Sequence, residues 1–394
     1  MVQFNLLLLV FLIVFITRSV IKWVLTWINI RHLRNFGHRV PEVFRGEIDT
    51  EILSRMTDYT VDSSRFGSIA SFFDDLVILV ILLSGLLPWF VGVILSYKFH
   101  FILSGLLFFA VLAAISGILN IPFSLYRTFV IEKGHGFSTI TLKLWITDLF
   151  KNLIISAILM VLLLCPLLAL IYYAEKTWWL WTWMFLAVFQ LLILWLYPVV
   201  IAPLFNKYEP IKDRELEQRI ISIMEKVGLK TKGIYQVDAG KRSKHTNAYF
   251  TGMGKTKRIV LYDTLLESHT PDEILSVLAH EIGHWKKRHI IKQLIFMEIA
   301  SFFLLYLVYC VMDWSLMYQT FGFEQNLPYV GLFLLTALFG PVSFFFTPIA
   351  SMVFRKFERE ADDYSYWLVG TTRPLCSALK RLAKDNLANL HPHP

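Results

Sequence analysis

The chain has 394 residues, of which 56% are hydrophobic, and a mean hydropathy of +0.56. A soluble domain of this length is markedly less apolar, so a purely soluble protein is excluded. The net charge of +8 is carried by scattered Lys and Arg that do not interleave with aromatics on one polar face, so nucleic acid is not an expected partner.

The apolar excess lies in long runs. The first, "FNLLLLVFLIVFI", begins almost at Met1; without a basic leader or a small-residue cleavage site it reads as a retained span and not a signal peptide. Seven candidate spans follow in order, at Phe4–Ile28, Leu76–Tyr97, Phe101–Leu125, Leu153–Tyr173, Trp178–Leu204, Ile290–Met312 and Tyr329–Phe354. Each is near the about 20 residues that cross a hydrocarbon core. Aromatics gather at span ends, as in "TWWLWTW" (177–183).

The connecting segments alternate in charge. Residues 31–74 carry Arg31, Arg34, Arg39, Arg45, Arg55 and Arg65, residues 126–151 carry Arg127, Lys133, Lys143 and Lys151, and the 205–289 segment and C-terminal tail are also basic. The opposite loops hold only Lys98 and Lys176, and 313–328 has no basic residue. Positive-inside bias therefore places the N-terminus outside and the large polar segments in the cytoplasm. The cysteines, Cys165, Cys310 and Cys376, form no CxxC, so neither a disulfide framework nor a thiolate zinc site is expected.

Residues 205–289 form the main soluble insertion. "RELEQRIISIMEKVG" reads as an amphipathic helix with Leu216, Ile220, Ile223 and Val227 on one face and Gly228 ending it. "GIYQVDA" (233–239) and "RIVLYD" (258–263) read as strands, and 248–257 as an extended segment with a Gly turn. Thr270, Pro271 and Glu273 make a capping box with Pro in the first turn, opening a helix through "ILSVLAHEIGHW".

On that helix His280 and His284 are four apart and lie one above the other, so both imidazoles can converge on one ion. Glu281 is rotated about 100° from His280, out of the ligand sphere, where it can take a proton from water at the ion. This is the H-E-x-x-H arrangement of zinc proteases. His289 follows Lys286, Lys287 and Arg288 and reads as an interfacial surface residue. A catalytic zinc needs a third protein ligand. The best candidate is Glu358 in "RKFEREADDYS" (355–365), with Asp362 one turn on to support a ligand histidine and Glu360 pointing elsewhere. The plain alternative is a charged helix whose acids are neutralised by Arg355, Lys356 and Arg359. Topology favours the ligand reading: the sixth span starts after His284, the seventh ends before Glu358, and one short outer loop joins them.

At this point the residues resemble the integral-membrane zinc endopeptidases called type I CAAX prenyl proteases. The resemblance is carried by "NKYEP" (206–210), "KRSKHTNAYFTGMGKTKRIVLYDTLLE" (241–267), "VLAHEIGHWKKRH", "FEREADDYS" and "EKGHGFSTIT" (132–141), and covers nearly the whole chain. It implies an all-α multi-pass membrane fold: seven transmembrane helices around an intramembrane chamber, with a small α+β zinc-metalloprotease domain on the cytoplasmic side. The units would be 1–204 with spans one to five, 205–289 with the edge strand and HExxH helix, 290–354 with spans six and seven, and 355–394 with the third ligand.

The resemblance further implies one zinc ion per chain held by His280, His284 and Glu358 in gluzincin fashion, with Glu281 as the base and Asp362 supporting a ligand histidine. Asn247, Ala248 and Tyr249 would lie on the edge strand that holds an extended peptide; the lesser alternative for Asn247 is a turn residue. The sequence departs from the family at "DNLANLHPHP", where relatives usually continue with a His-Pro segment and an arginine near the active site; His391 and His393 read either as the start of that segment or as merely terminal. The implied reaction removes the C-terminal tripeptide of isoprenylated CAAX proteins. The implied partners are a peptide or protein substrate and the lipid bilayer, in the endoplasmic reticulum of a eukaryote or the inner membrane of a bacterium. Two alternatives stand beside it: a membrane quality-control zinc protease without lipid specificity, and a zinc transporter, which the few ionisable residues within the spans disfavour.

Overall fold

A computed structural model of the chain describes residues 2–251 and 256–393. Helices dominate, and seven among the described residues are long and apolar enough to cross a membrane. The first five are α1 (Leu6–Phe36), α2 (Thr50–Leu83), which is followed by the short α3 (Leu86–Ser96), then α4 (Phe101–Tyr126), α5 (Leu142–Tyr173) and α6 (Trp178–Leu196). Asn5, Asp49 and Thr141 each cap a span by accepting from a backbone N–H of the first turn.

The expected second span, Leu76–Tyr97, is corrected. The helix runs from Thr50 to Leu83, breaks at Ser84–Gly85, where Gly85 has φ 80°, and resumes as α3. Single π-helical turns extend α4 (Arg127–Glu132) and α6 (Tyr197–Ile201). In the second, Pro198 lacks the N–H that an α-turn would use.

The insertion begins with α7 (Ala202–Phe205), β1 (Tyr208–Pro210), α8 (Arg214–Lys226), β2 (Lys230–Val237), β3 (Ala248–Thr251) and β4 (Thr256–Tyr262). The sheet order is β1-β2-β4-β3, antiparallel except for the β2–β4 pair. The expected Gly turn after β3 falls on 252–255, outside the described residues. Helix α8 buries Leu216, Ile220 and Met224 and ends at Gly228, φ 72°. Then come α9 (Asp263–Ser268), α10 (Pro271–Lys286), α11 (His289–Val311), α12 (Ser315–Thr320), α13 (Pro328–Ser343), α14 (Thr347–Val369) and α15 (Arg373–Asp385). A 3₁₀ turn at Phe344–Phe346 separates α13 from α14, whose second residue, Pro348, cannot donate backward into the preceding turn.

Packing is concentrated at the two ends of the spans. At one end Leu8, Phe11, Leu82, Phe108, Leu168, Trp178, Tyr318 and Tyr329 belong to a single apolar cluster. At the other, Ile220, Ile234, Ile259, Leu261, Leu278 and Ile282 form the core of the sheet domain. Between them lies a band with no fully buried residue: none in 16–32 of α1, 62–81 of α2, 109–130 of α4 and its π turn, 149–167 of α5, 183–201 of α6 and its π turn, 290–311 of α11 or 342–356 of α13–α14. The accessible surface is 22923 Å² for 45.9 kDa. A compact chain of that mass would expose about 16,000 Å². The seven helices are thus packed together toward their two ends and loosely between them.

The spans are not wholly apolar. Arg18 of α1 forks onto Asp75 of α2 at 2.6 and 2.8 Å, and Ser19 donates to the same carboxylate at 2.7 Å. A charge held within a span is expected to be paired in this way. The sheet domain is tied to the spans by Arg242, which binds Asp148 of α5 bidentately (2.7 and 2.9 Å) and Asn206 after α7 (2.8 Å).

Candidate metal centre

Helix α10 is set by its capping box: Thr270 Oγ1 accepts from Glu273 N–H at 3.4 Å, and Glu273 Oε2 accepts from Thr270 N–H at 2.8 Å. Burial pushes the Glu273 carboxyl up, but donors from Ser377 and Thr270 and the Arg381 charge outweigh it and hold the group below its ordinary value. Helix α14 crosses α10 at Gly283, where an added Cβ would lie 2.9 Å from Ala361 Cα and 3.0 Å from Ala361 O. Ser365 Oγ, fully buried, donates to Ser276 O at 2.9 Å in the same crossing. Only a glycine allows this approach, and it brings the acidic face of α14 against the histidine face of α10.

The crossing gathers His280, His284 and Glu358, whose potential ligand atoms all lie within 4.8 Å of one another. His280 Nε2 and His284 Nε2 are 3.1 Å apart, and Glu358 Oε2 is 3.4 Å from the first and 3.7 Å from the second. Ligands with bonds of ~2.0–2.1 Å at tetrahedral angles are separated by roughly 3.3 Å, so these three fit the donor set of a zinc ion. Nδ1 of His280 lies 2.8 Å from Asp362 Oδ1, which fixes the proton there and leaves Nε2 free. Burial, then the neighbouring His280, holds His284 below its ordinary value and favours the neutral imidazole that binds metal.

Glu281 sits beside this cluster, and among the described residues no side chain hydrogen-bonds its carboxylate. Burial pushes its pKa above the ordinary carboxylate value; His280 opposes the shift and Glu358 adds to it. A carboxylate raised in this way and left unpaired is suited to accept a proton.

The expected strand residues are close by. Ala248 and Tyr249 are in β3, and Asn247 immediately precedes it, its Oδ1 accepting from Ala248 N–H at 2.8 Å and its backbone O from Tyr262 N–H at 3.1 Å. Strand β3 pairs only with β4, so its outer edge is open among the described residues. The Tyr249 side chain turns to the sheet face opposite α10, its hydroxyl 3.0 Å from that of Tyr208 beside a cleft of about 420 Å³. Burial, and then the Tyr208 bond, holds its phenol well above the ordinary value. None of the residues of the metal cluster lines that cleft.

His289 was expected at the interfacial surface; instead it is 1% exposed, and the structure corrects that reading. Its Nδ1 lies 3.0 Å from His284 Nδ1, and its Nε2 3.0 Å from Glu360 Oε2. The reason is Arg288, whose left-handed backbone (φ 56°, ψ 36°) turns the chain between α10 and α11 and folds His289 back under the cluster. Helical spacing could not show this, because the helix stops between the two histidines. His391 and His393 lie elsewhere: His391 Nε2 is 2.6 Å from Arg39 O, and His393 N–H donates to Asn29 Oδ1 at 3.2 Å.

Comparison with known proteins places these features. Residues 29–207 match the family description "CAAX prenyl protease N-terminal, five membrane helices", and residues 210–394 match "Peptidase family M48". The class is that of multi-pass membrane metalloendopeptidases. CAAX prenyl protease 1 of Saccharomyces cerevisiae is 34% identical, the match covering 90% of this chain and 84% of that protein; the Homo sapiens homolog is 30% identical, over 89% and 83%. The crystal structure of S. mikatae Ste24p superposes with a TM-score of 0.92 at 31% identity, covering 100% of this chain and 95% of that one. The chain belongs to the CAAX prenyl protease 1 family.

Proposed function

We propose that the chain is a zinc endopeptidase that removes the C-terminal tripeptide of isoprenylated CAAX proteins. The observation that carries this reading is the spacing of His280 Nε2, His284 Nε2 and Glu358 Oε2, which suits one tetrahedral ion per chain beside the open edge of β3. When bound, zinc supplies a Lewis acid that polarises the scissile carbonyl and acidifies water.

The chain's own residues do the rest. Glu281 takes a proton from the attacking water and returns it to the leaving amine. Asp362 keeps the His280 proton on Nδ1. The backbone of Ala248 and Tyr249, with Asn247 holding the start of the strand, pairs with the substrate as an added β-strand. Side chains alternate along such a strand, so substrate residues would point in turn toward α10 and away from it.

The unpacked band between the span ends gives a lipid-modified cysteine an apolar place close to the zinc helix. Here the catalytic unit is residues 205–289 with 355–394, and residues 1–204 and 290–354 form the enclosure. Positive-inside bias supports a cytoplasmic catalytic end, in the endoplasmic reticulum for a eukaryotic chain, with no role for nucleic acid.

The test is cleavage of a farnesylated CaaX peptide and its unlipidated twin, with and without a zinc chelator. Chelator-sensitive cleavage of the farnesylated peptide, much faster than that of the twin, is expected. Equal rates would replace the lipid-directed reading with that of a general membrane quality-control protease, and chelator-resistant cleavage would remove zinc from the mechanism.

A further inference from the structure

We infer that His289 and Glu360 form a positioning relay that sets the tautomer and ring orientation of His284 for metal binding. The inference rests on the reading of His280, His284 and Glu358 as the metal-binding set. For His284 to offer an Nε2 lone pair, its proton must sit on Nδ1, and a buried N–H needs an acceptor. For His280 the acceptor is a carboxylate, Asp362. For His284 the atom opposite Nδ1 is another imidazole nitrogen, His289 Nδ1, at 3.0 Å. Two N–H groups cannot face each other there, so His289 must carry its own proton on Nε2. Glu360 Oε2, 3.0 Å away, accepts that proton and fixes the choice.

The order of donation is thus His289 Nε2–H to Glu360 and His284 Nδ1–H to His289, which leaves His284 Nε2 turned toward His280 and Glu358. The supports are built to hold it. The Phe357 ring stacks on His289 at 4.2 Å and 10°. The Lys292 ammonium lies 3.8 Å from Glu360 Oε2 and over the Phe357 ring. The relay joins the first residue of α11 to α14, so it also fixes the sixth span relative to the seventh.

Partners that orient a metal ligand typically alter metal affinity by about 10- to 100-fold when removed. The test uses the full chain in detergent or nanodiscs. Zinc affinity is measured by competition with a chelator, and the visible bands of the Co²⁺-substituted protein report ligand geometry. Glu360→Gln is expected to weaken zinc about 10- to 100-fold and to shift the Co²⁺ bands, with partial recovery in Glu360→Asp. Glu267→Gln, on an exposed position of α9, is expected to change neither.

A Glu360→Gln protein with wild-type affinity and bands overturns the relay. So does one that loses thermal stability without metal but keeps its metal affinity, because that is the signature of packing alone. A Glu360→Gln protein that fails to fold is replaced by Lys292→Met, which leaves the carboxylate in place and is expected to weaken zinc less; unchanged affinity in both Lys292→Met and Glu360→Asp likewise overturns the relay. Wild-type protein that takes up no zinc overturns the metal-site reading, and the relay falls with it.

Discussion

The α10–α14 crossing and the middle of the spans are built in opposite ways. At the crossing, Ala279, Ile282, Ala361 and Ser365 are buried to within 1% and a missing Cβ is needed for the helices to meet. In the span middles no residue is fully buried, and an added Cβ at Gly117 of α4 would meet nothing within 4 Å. The helices of both regions are long and regular, so the difference lies in packing. Tight packing is present where His280, His284 and Glu358, the proposed ligands, are brought together, and absent along the middle of the spans.

The sharpest way to break that contrast is at the chemistry itself. Glu281→Gln keeps the shape of the side chain and removes the base. Peptidase activity is expected to fall by roughly 10²–10⁴ or more, while zinc content stays at one per chain. Near-normal turnover would remove Glu281 from the reaction.

The next effect tests packing. Gly283→Ala would force its Cβ into the backbone of Ala361 at 2.9–3.0 Å, and Tyr364 Cβ at 3.1 Å leaves no side exit. Backbone cannot rotate away as a side chain tip can. Overpacking of this kind costs typically about 1–3 kcal/mol, and here it also separates His280 and His284 from Glu358. Lower zinc affinity together with a lower thermal midpoint is expected; a variant with unchanged midpoint and metal content would show that α14 has slack.

Much of this crossing is legible in the sequence, because the signals are local. His280, Glu281 and His284 declare themselves by spacing on a helix whose start Thr270 and Glu273 announce. Glu358 and Asp362 are four apart, and the single outer loop between spans makes their approach to the histidines a topological expectation. His289 and Glu360 are not legible, since their meeting depends on one left-handed residue, Arg288, with no Gly or Pro to signal it. The extents of α2 and α14 are missed for another reason: hydropathy marks the oily stretch, while both helices continue well into polar sequence, to Thr50 and to Val369. The loose packing of the span middles leaves no trace, because a mostly apolar run reads the same whether its helix packs tightly or not.

Acid should loosen the tight region before the walls, through two groups that clamp α15 against α10. Burial pushes His269 below its ordinary 6.5, so the unfolded chain takes up a proton that the folded form resists, and stability falls as pH drops below 6.5. Glu273 is held below its ordinary 4.5, so its contribution is present above 4.5 and is lost as pH falls through the folded value. Amide exchange in α15 is expected to rise first below pH 6.5 and again below 4.5, with a fall of a few °C in the midpoint, given that about 1 kcal/mol moves it ~2–4 °C. His269→Gln should flatten the upper step alone; a single step near 4.5 in the wild type would assign the acid response to Glu273.

The smallest effect belongs to the span middle and completes the contrast with Gly283. Gly117→Ala adds the same methyl to the same kind of helix. With nothing within 4 Å, no neighbour must move. The remaining term is intrinsic: Ala is favoured over Gly in a helix interior by about 0.8–1.0 kcal/mol in water, and part of that preference is lost where lipid already enforces the helix. A midpoint equal to or slightly above the wild type is therefore expected, with unchanged zinc affinity and turnover. A loss comparable to that of Gly283→Ala would mean that something in the working protein packs against the middle of α4. The band between the span ends would then be a seat for an occupant and not an empty enclosure. Repeating the measurement with the farnesylated peptide bound separates these cases, because a clash with the lipid appears only in KM and only for the lipidated substrate.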